Sequence, residues 1–340
     1  MLALSSPQIL VGGRWLSSLA TWGDLTITHR WPYGCWEAQW KMALKPYQRP
    51  PALVAGADVE VRLGSGAIWA GDLPDLDWDS GTMTAVGAAR QGETSLCLTS
   101  GGDTTSTPDT AVDEASARGA VQWARRVSLS SSAFAPTDET ANLNYLTALL
   151  DAWSTSQSKR WGVNAAREVY AAADPTTPAL YVRPGAGVLG VTEETQAARI
   201  FGRYLNTSGA YATVNVGSGT PEVGVLLESH GPIDSTTATN IITGMRAQLQ
   251  ASTAWTNGVT VTAEQVTTPG GQRLSLDQVT AGKMARLLGL RDERGAEAST
   301  DIVLGETVWD VSAGTVVCNP VGLSDRSLSG VVEAGGGELL

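Results

Sequence analysis

Alternation of apolar and polar residues with a period of two, cut every few residues by glycine, is the feature that most constrains this chain. Leu25-Thr26-Ile27-Thr28 alternates, as do Trp36-Glu37-Ala38-Gln39-Trp40-Lys41-Met42 and Val59-Glu60-Val61-Arg62-Leu63. Gly64-Ser65-Gly66 then turns the chain into Ala67-Ile68-Trp69-Ala70-Gly71. Period-two runs joined by short glycine loops are the pattern of β-hairpins. A further pair is expected at Asp75 to Trp78 and Thr82 to Gly87, hinged at Asp79-Ser80-Gly81. Strands at such regular intervals point to a small barrel or sandwich over residues 1–98.

The composition changes after that. Ser100 to Pro108 is polar and glycine-rich and reads as a linker. Thr107 followed by Pro108 has the form of a helix start, with the helix expected to run to about Val127. Leu143, Leu146, Leu150 and Trp153 line one face of a second helix, and Ala179 to Val182 reads as a strand. Residues 99–190 are therefore expected to be a mixed α/β insertion. Residues 191–334 read as a second β-rich domain with two helices. One runs from Thr192 to Leu205, with two glutamates in its first turn, and one from Asp234 or Ser235 to about Gln250. Strands are expected at Tyr211 to Val216, Val223 to Leu227, Val259 to Thr262, Gln272 to Leu276, Ala285 to Leu290, Ile302 to Leu304, Thr315 to Cys318 and Ser327 to Val332. Residues 335–340, with their three glycines, read as a flexible tail.

A chain of 340 residues can bury its own cores without disulfide or metal staples. Its net charge of -11 argues against a protein that grips nucleic acid through phosphates. Two histidines and three widely spaced cysteines (Cys35, Cys97, Cys318) argue against a histidine-rich metal site, a zinc ribbon or a disulfide framework. Reduced, buried thiols suit assembly in a cytoplasm. No apolar run is long enough to span a membrane, and the first residues lack the form of a signal peptide. No metal and no cofactor are expected.

A search for catalytic groups finds little. There is no G-x-S-x-G elbow, and no basic residue adjoins any cysteine to favour a thiolate. His29 lies in an expected strand and His230 in an expected turn. Asp75, Asp77 and Asp79 match the first three ligand positions of an EF-hand loop, but Ser80 and Val86 stand where its glycine and bidentate glutamate belong. On a strand these three aspartates would share one wet face, opposite Leu76 and Trp78. Residues 71–115 carry nine acids and one base, and residues 118–167 six bases and three acids. These segments would suit a subunit contact or two solvated faces. Twelve tryptophans against two phenylalanines suit a packed core and subunit interface, or stacking platforms for sugars. By parity Trp36 and Trp40 share a strand face. Trp31, Trp36, Trp40 and Trp69 are the candidate core or interface aromatics.

The stretch Gly23 to Trp40, with its Trp31-Pro32-Tyr33-Gly34 kink, resembles the start of minor tail proteins of long-tailed phages of actinobacteria. So do Val59 to Leu63, the Trp69-Ala70-Gly71 hairpin end and Gly81 to Gly87. Gln272 to Leu276, Ala285 to Leu290 and Ile302 to Gly305 are compatible with the second barrel of the tail hub, or baseplate hub, proteins. The resemblance covers about half the chain. It implies two tube-like β-barrel domains per subunit and a homotrimer at the tail tip, assembled in the host cytoplasm. It implies partners among the distal tail or tube proteins and the tail fibres or other tip proteins. It also implies a lumen through which DNA passes without specific binding, which Asp75, Asp77 and Asp79 would line, and no active site in these domains. Three alternatives stand beside the hub: a ring component of the distal tail, a tryptophan-rich protein docking on cell-wall polysaccharide, and a wall hydrolase using the carboxylates from Asp72 to Asp79.

Overall fold

The computed structural model describes residues 6–43, 49–134, 144–184, 197–251, 258–291, 296–321, 332–333 and 336–340, with the side chains of 247–251 excepted. The expected strand at Ser327 to Val332 falls almost wholly outside them, as do Leu143 and residues 191–196. The chain is mainly β and divides into two compact units. The first comprises Met1–Leu180, Thr260–Met284 and Val303–Cys318; the second comprises Tyr181–Val259, Ala285–Ile302 and Asn319–Leu340.

In the first unit the alternating runs become β1 (Gln8–Val11), β2 (Arg14–Trp15), β3 (Thr21–Arg30), β4 (Tyr33–Ala43), β5 (Ala57–Leu63), β6 (Gly66–Leu73) and β7 (Thr82–Gly87). They lie in the order β3-β4-β7-β6-β5-β1-β2, each antiparallel to its neighbour. Leu63 pairs with Gly66, so Gly64-Ser65 is a two-residue hairpin loop, and Gly64 takes the positive φ of 61° that such a loop needs. Alternate residues fill one core: Ile9, Val11, Leu25, Ile27, Ala38, Trp40, Val59, Val61, Trp69, Met83 and Ala85.

Glycine lets neighbouring strands of this sheet approach each other closely. A Cβ on Gly71 would collide with the carbonyl of Val86 and the indole of Trp69, which accounts for the Trp-x-Gly spacing. A Cβ on Gly87 would collide with the carbonyl of Cys35.

A second core of the same unit begins where β7 ends. A 3₁₀ turn (Ala88–Glu93), α1 (Pro108–Ala117), β8 (Ala124–Arg125), α2 (Leu146–Ser156), β9 (Arg160–Val163) and β10 (Glu168–Ala172) enclose Val112, Trp123, Leu146, Leu150, Trp153, Trp161 and Val163. Strand β9 runs parallel to the start of β4, pairing Tyr33 with Gly162 and Gly34 with Val163. Helix α1 stops ten residues short of the expected Val127. The amides of Ala120 and Val121 fold back onto the carbonyl of Ala115, Gly119 takes φ 71°, and Ser116 Oγ donates to Trp123 O. The expected linker is tied down: Thr99 N donates to Asp103 O, and Ser100 N donates to Glu114 Oε2 at 2.7 Å.

Beyond β10 come β11 (Leu180–Val182), β12 (Arg199–Leu205), β13 (Tyr211–Gly217), β14 (Glu222–Leu226), α3 (Ser235–Ala251), β15 (Val259–Thr262) and β16 (Val266–Thr267). They are followed by β17 (Met284–Arg291), β18 (Glu297–Asp310), β19 (Thr315–Pro320) and β20 (Glu338–Leu339). Residues 306–310 of β18 extend the first unit's sheet by pairing antiparallel with β3. The second unit has a sheet of its own, ordered β13-β12-β14-β20, with β12 and β14 parallel. Ala238, Ile242 and Met245 of α3 pack on Ile200, Tyr204 and Val225 of that sheet. Asp234 caps the helix, its Oδ1 accepting the amide of Thr237 at 2.7 Å.

Three sequence expectations fail here. The helix expected from Thr192 to Leu205 is strand β12 over Arg199–Leu205. Its alternating Ile200, Gly202 and Tyr204 face α3, and two neighbouring strands use its backbone groups. The strand expected at Gln272 to Leu276 is a single bridge, Thr267 to Arg273, followed by a 3₁₀ turn at Leu276–Gln278. The tail expected to be flexible over 335–340 carries β20. Leu339 pairs with Val225 and Leu340 N donates to Gly224 O, so the last residues supply partners for the edge of β14.

Candidate functional site

Asp75, Asp77 and Asp79 are not on a strand. They occupy the connection between β6 and β7, where Asp77 organises a turn. Its Oδ1 accepts the amides of Asp79 and Ser80, each at 3.1 Å, and its Oδ2 accepts Ser80 Oγ–H at 2.6 Å. Those bonds hold the exposed Asp77 carboxyl below the usual range. Local side-chain-to-backbone bonding has won over strand pairing, as is common for Asp next to Ser and Gly. Period two therefore does not hold, and the three carboxylates do not form one strand face.

The tryptophans part company. Trp40 and Trp69 are fully buried in the first core. Trp36 is not on the face of Trp40. Thr28 pairs with Glu37 and His29 with Cys35, so Trp36 is the extra residue of a β-bulge. A bulge flips the parity of all that precedes it. Trp31 lies at the kink, stacked on Tyr170 with centroids 6.0 Å apart, and its Nε1 donates to Asp174 Oδ1 at 2.6 Å.

The bulge opens a cleft within the first unit. Tyr33, Trp36, Ala89, Arg90, Glu93, Thr147 and Asp151 line a cavity of about 150 Å³. Tyr33 reaches it because its own φ is 90° and because Gly34, at φ 80°, lets β4 approach β9. The 3₁₀ turn carrying Ala89, Arg90 and Glu93 is fixed from below, where Trp123 Nε1 donates to Ala88 O at 2.8 Å. Helix α2 brings Thr147 and Asp151. Asp151 accepts Trp161 Nε1–H at 2.6 Å and Tyr33 O–H at 3.4 Å. Burial raises its pKa. The Trp36 ring carries two guanidinium groups, Arg30 at 4.2 Å and Arg90 at 5.5 Å from its centroid.

A charged cluster that the sequence did not reveal lies elsewhere in this unit. Arg167, at the turn between β9 and β10, places Nη2 against Asp58 Oδ1, Gly71 O (2.8 Å) and Asp72 Oδ1 (3.4 Å). Asp72 also accepts Gln91 Nε2–H, yet burial still raises its pKa. Arg125 binds Asp109 and Asp113. Arg167 and Arg125 thus join the basic segment to Asp72, Asp109 and Asp113 of the acidic one within one unit.

Of the residues searched for nucleophilic chemistry, burial acts on His29 and the three cysteines. Burial drives the His29 imidazole down to about 4, so it is neutral at pH 7, with Nε2 3.1 Å from Ile68 O. Cys35, Cys97 and Cys318 are buried, and burial pushes their thiols up to about 12, 11 and 12. Among the described residues no cluster of three or more His, Cys, Asp or Glu could hold a metal ion, and no helix is long and apolar enough to cross a membrane.

No protein-family model matches the sequence, and a comparison with curated proteins finds no match. Solved structures do match, along nearly the whole chain. A 43 kDa tail protein of prophage MuSo2 from Shewanella oneidensis superposes with a TM-score of 0.59 at 12% identity, over 95% of this chain and 99% of that one. The fold is one that phage tail proteins use. A tail protein from Neisseria meningitidis MC58 gives a TM-score of 0.52 at 11% identity, over 93% and 96% of the two chains. Prophage tail protein gp18 from Listeria monocytogenes EGD-e gives 0.51 at 12% identity, over 94% and 95%. At such identities the shared property is the path of the chain.

Proposed function

We propose that this chain is a structural component of a phage tail, the hub at the tail tip that closes the tube and joins it to the host-recognition proteins. The observation that carries this reading is coverage. The fold likeness to the tail protein of prophage MuSo2 spans 95% of this chain and 99% of the other, so both units are included. The minor-tail-protein resemblance of the Gly23 to Gly87 region is a second, independent support. In this reading each copy contributes two tube-like barrel modules, three copies close a ring, and distal tail or tube proteins and tail fibres dock on either side. The phage is one of the long-tailed kind that infects actinobacteria, and the hub is built in the host cytoplasm before it joins the virion. The acidic β6–β7 turn, with Asp75, Asp77 and Asp79, faces the lumen, where negative charge lets DNA slide without adhering.

Two of the candidate aromatics weigh for the hub over the polysaccharide-docking alternative. Trp40 and Trp69, both fully buried, are core residues and offer no platform for a sugar. The test is the mass of the native protein in solution. A value near three times 35.5 kDa supports the hub. A monomer at every concentration, together with no labelling of the tail tip by an antibody against the chain, refutes it.

A further inference from the structure

We propose that the cleft at the Trp36 bulge is a receptor for the guanidinium group of an arginine side chain presented by a neighbouring protein. Four observations on the cleft lead there. The first is an unbalanced charge. Asp151 is half-buried, and the two groups that donate to it, the Trp161 indole and the Tyr33 phenol, are both neutral. Two more shielded carboxylates of the first unit have a cation: Asp72 has Arg167 and Asp109 has Arg125. A carboxylate taken partly out of water without a counter-ion is costly, and an incoming cation removes that cost.

The second is the nature of the walls. Tyr33 and Trp36 have centroids 5.5 Å apart with ring planes inclined by 37°, and the Trp36 ring already draws two guanidinium groups to it. An aromatic wall beside a carboxylate is the chemistry that holds cations. The third is size. About 150 Å³ lies below the range of pockets for whole small molecules, and is right for a side-chain head group. The fourth is the rim. Glu93 is exposed and touches Arg90 at only 3.4 Å, leaving carboxylate capacity at the entrance as well as at the base. Arginine fits better than lysine because its planar head can stack on a ring and bond a carboxylate through two N–H groups at once.

The test uses the full chain with ¹⁵N-labelled tryptophan indoles. The Trp161 Nε1–H signal, assigned by its loss in Trp161→Phe, reports on Asp151 directly. Titration with Nα-acetyl-arginine amide should shift it saturably, and Nα-acetyl-lysine amide should bind more weakly. Asp151→Asn keeps an oxygen acceptor for the indole but removes the charge, and should weaken arginine binding about tenfold, the scale of one charge-assisted hydrogen bond. Should Asp151→Asn fail to fold, Glu93→Gln at the exposed rim should weaken binding about threefold by the same reasoning. The proposal is overturned if the arginine derivative gives no saturable shift. It is equally overturned if both charge-removing variants bind as the parent does, or if N-acetylglucosamine, and not arginine, saturates the signal.

Discussion

Replacing Arg167 by alanine should unfold the first unit more easily, with a pH dependence of definite sign. The guanidinium stands between Asp58 and Asp72 and also binds Gly71 O. Side-chain exposure is 15% for Arg167 and Asp72 and 39% for Asp58. Removing one member of a buried charge pair costs about 3–5 kcal/mol, and the partial exposure of Asp58 puts this case near ~3 kcal/mol. The loss leaves two carboxylates facing each other. Burial already raises the Asp72 pKa, and Arg167 is among the groups opposing that rise. Without Arg167 it must go higher.

A carboxyl whose folded pKa exceeds its unfolded value favours the folded state as pH falls. The deficit of Arg167→Ala should therefore be largest near neutral pH and shrink as the pH drops to about 5. Urea denaturation followed by tryptophan fluorescence is the assay. Eleven of the twelve tryptophans, all but Trp255, lie in the first unit, so most of the signal belongs to it. Arg167→Ala/Asp72→Asn should recover part of the loss at neutral pH, because it removes the repulsion. A deficit under about 1 kcal/mol, or one that grows as the pH falls, would refute the assignment of this cluster as a charge clamp.

Two further outcomes are expected. Gly87→Ala forces a Cβ into the Cys35 carbonyl and should cost at least ~1–3 kcal/mol in the same urea assay, whereas Gly13→Ala meets nothing nearby and should show only the strain of its positive φ. Cys35, Cys97 and Cys318, with thiol pKa values of about 12, 11 and 12, should stay silent to a thiol reagent at pH 8 in the folded protein and react together on unfolding; a fast-reacting thiol in the native chain would contradict their burial.

What was legible in the sequence was whatever a single strand or helix decides for itself. The hairpin at Gly64-Ser65, the alternation of β5, the α2 stripe through Leu146, Leu150 and Trp153, and the Asp234 cap of α3 all follow from neighbours within a few residues. What was not legible depended on partners far along the chain. Thr192 with two following glutamates looks like a helix start, yet Arg199–Leu205 becomes a central strand because β13 and β14 offer hydrogen bonds on both sides. Gly335 to Gly337 looks like a free end, yet the strand after it completes the edge of β14. Nothing local reveals that residues 303–318 join the first unit and 285–302 the second.

The same distinction governs the candidate site. Parity arguments carry information only as long as the strand has no extra residue. One bulge at Trp36 sends that side chain away from Trp40 and opens the cleft in which Asp151 sits. The bulge follows from the kink. Tyr33 and Gly34 both take positive φ, and Gly34 packs against the carbonyl of Val163, so β4, paired with β3 along its length, is also committed to β9 at its start and to β7 over residues 37–41. One signal was available in the letters: an acid set among apolar neighbours, Leu149-Leu150-Asp151-Ala152-Trp153, on a helix whose buried residues are apolar but for Ser154. A carboxylate at such a position calls for a donor or a cation. Among the described residues the groups bonded to it are neutral donors, the Trp161 indole N–H and the Tyr33 phenol O–H, and the proposed arginine of another protein would bring the cation.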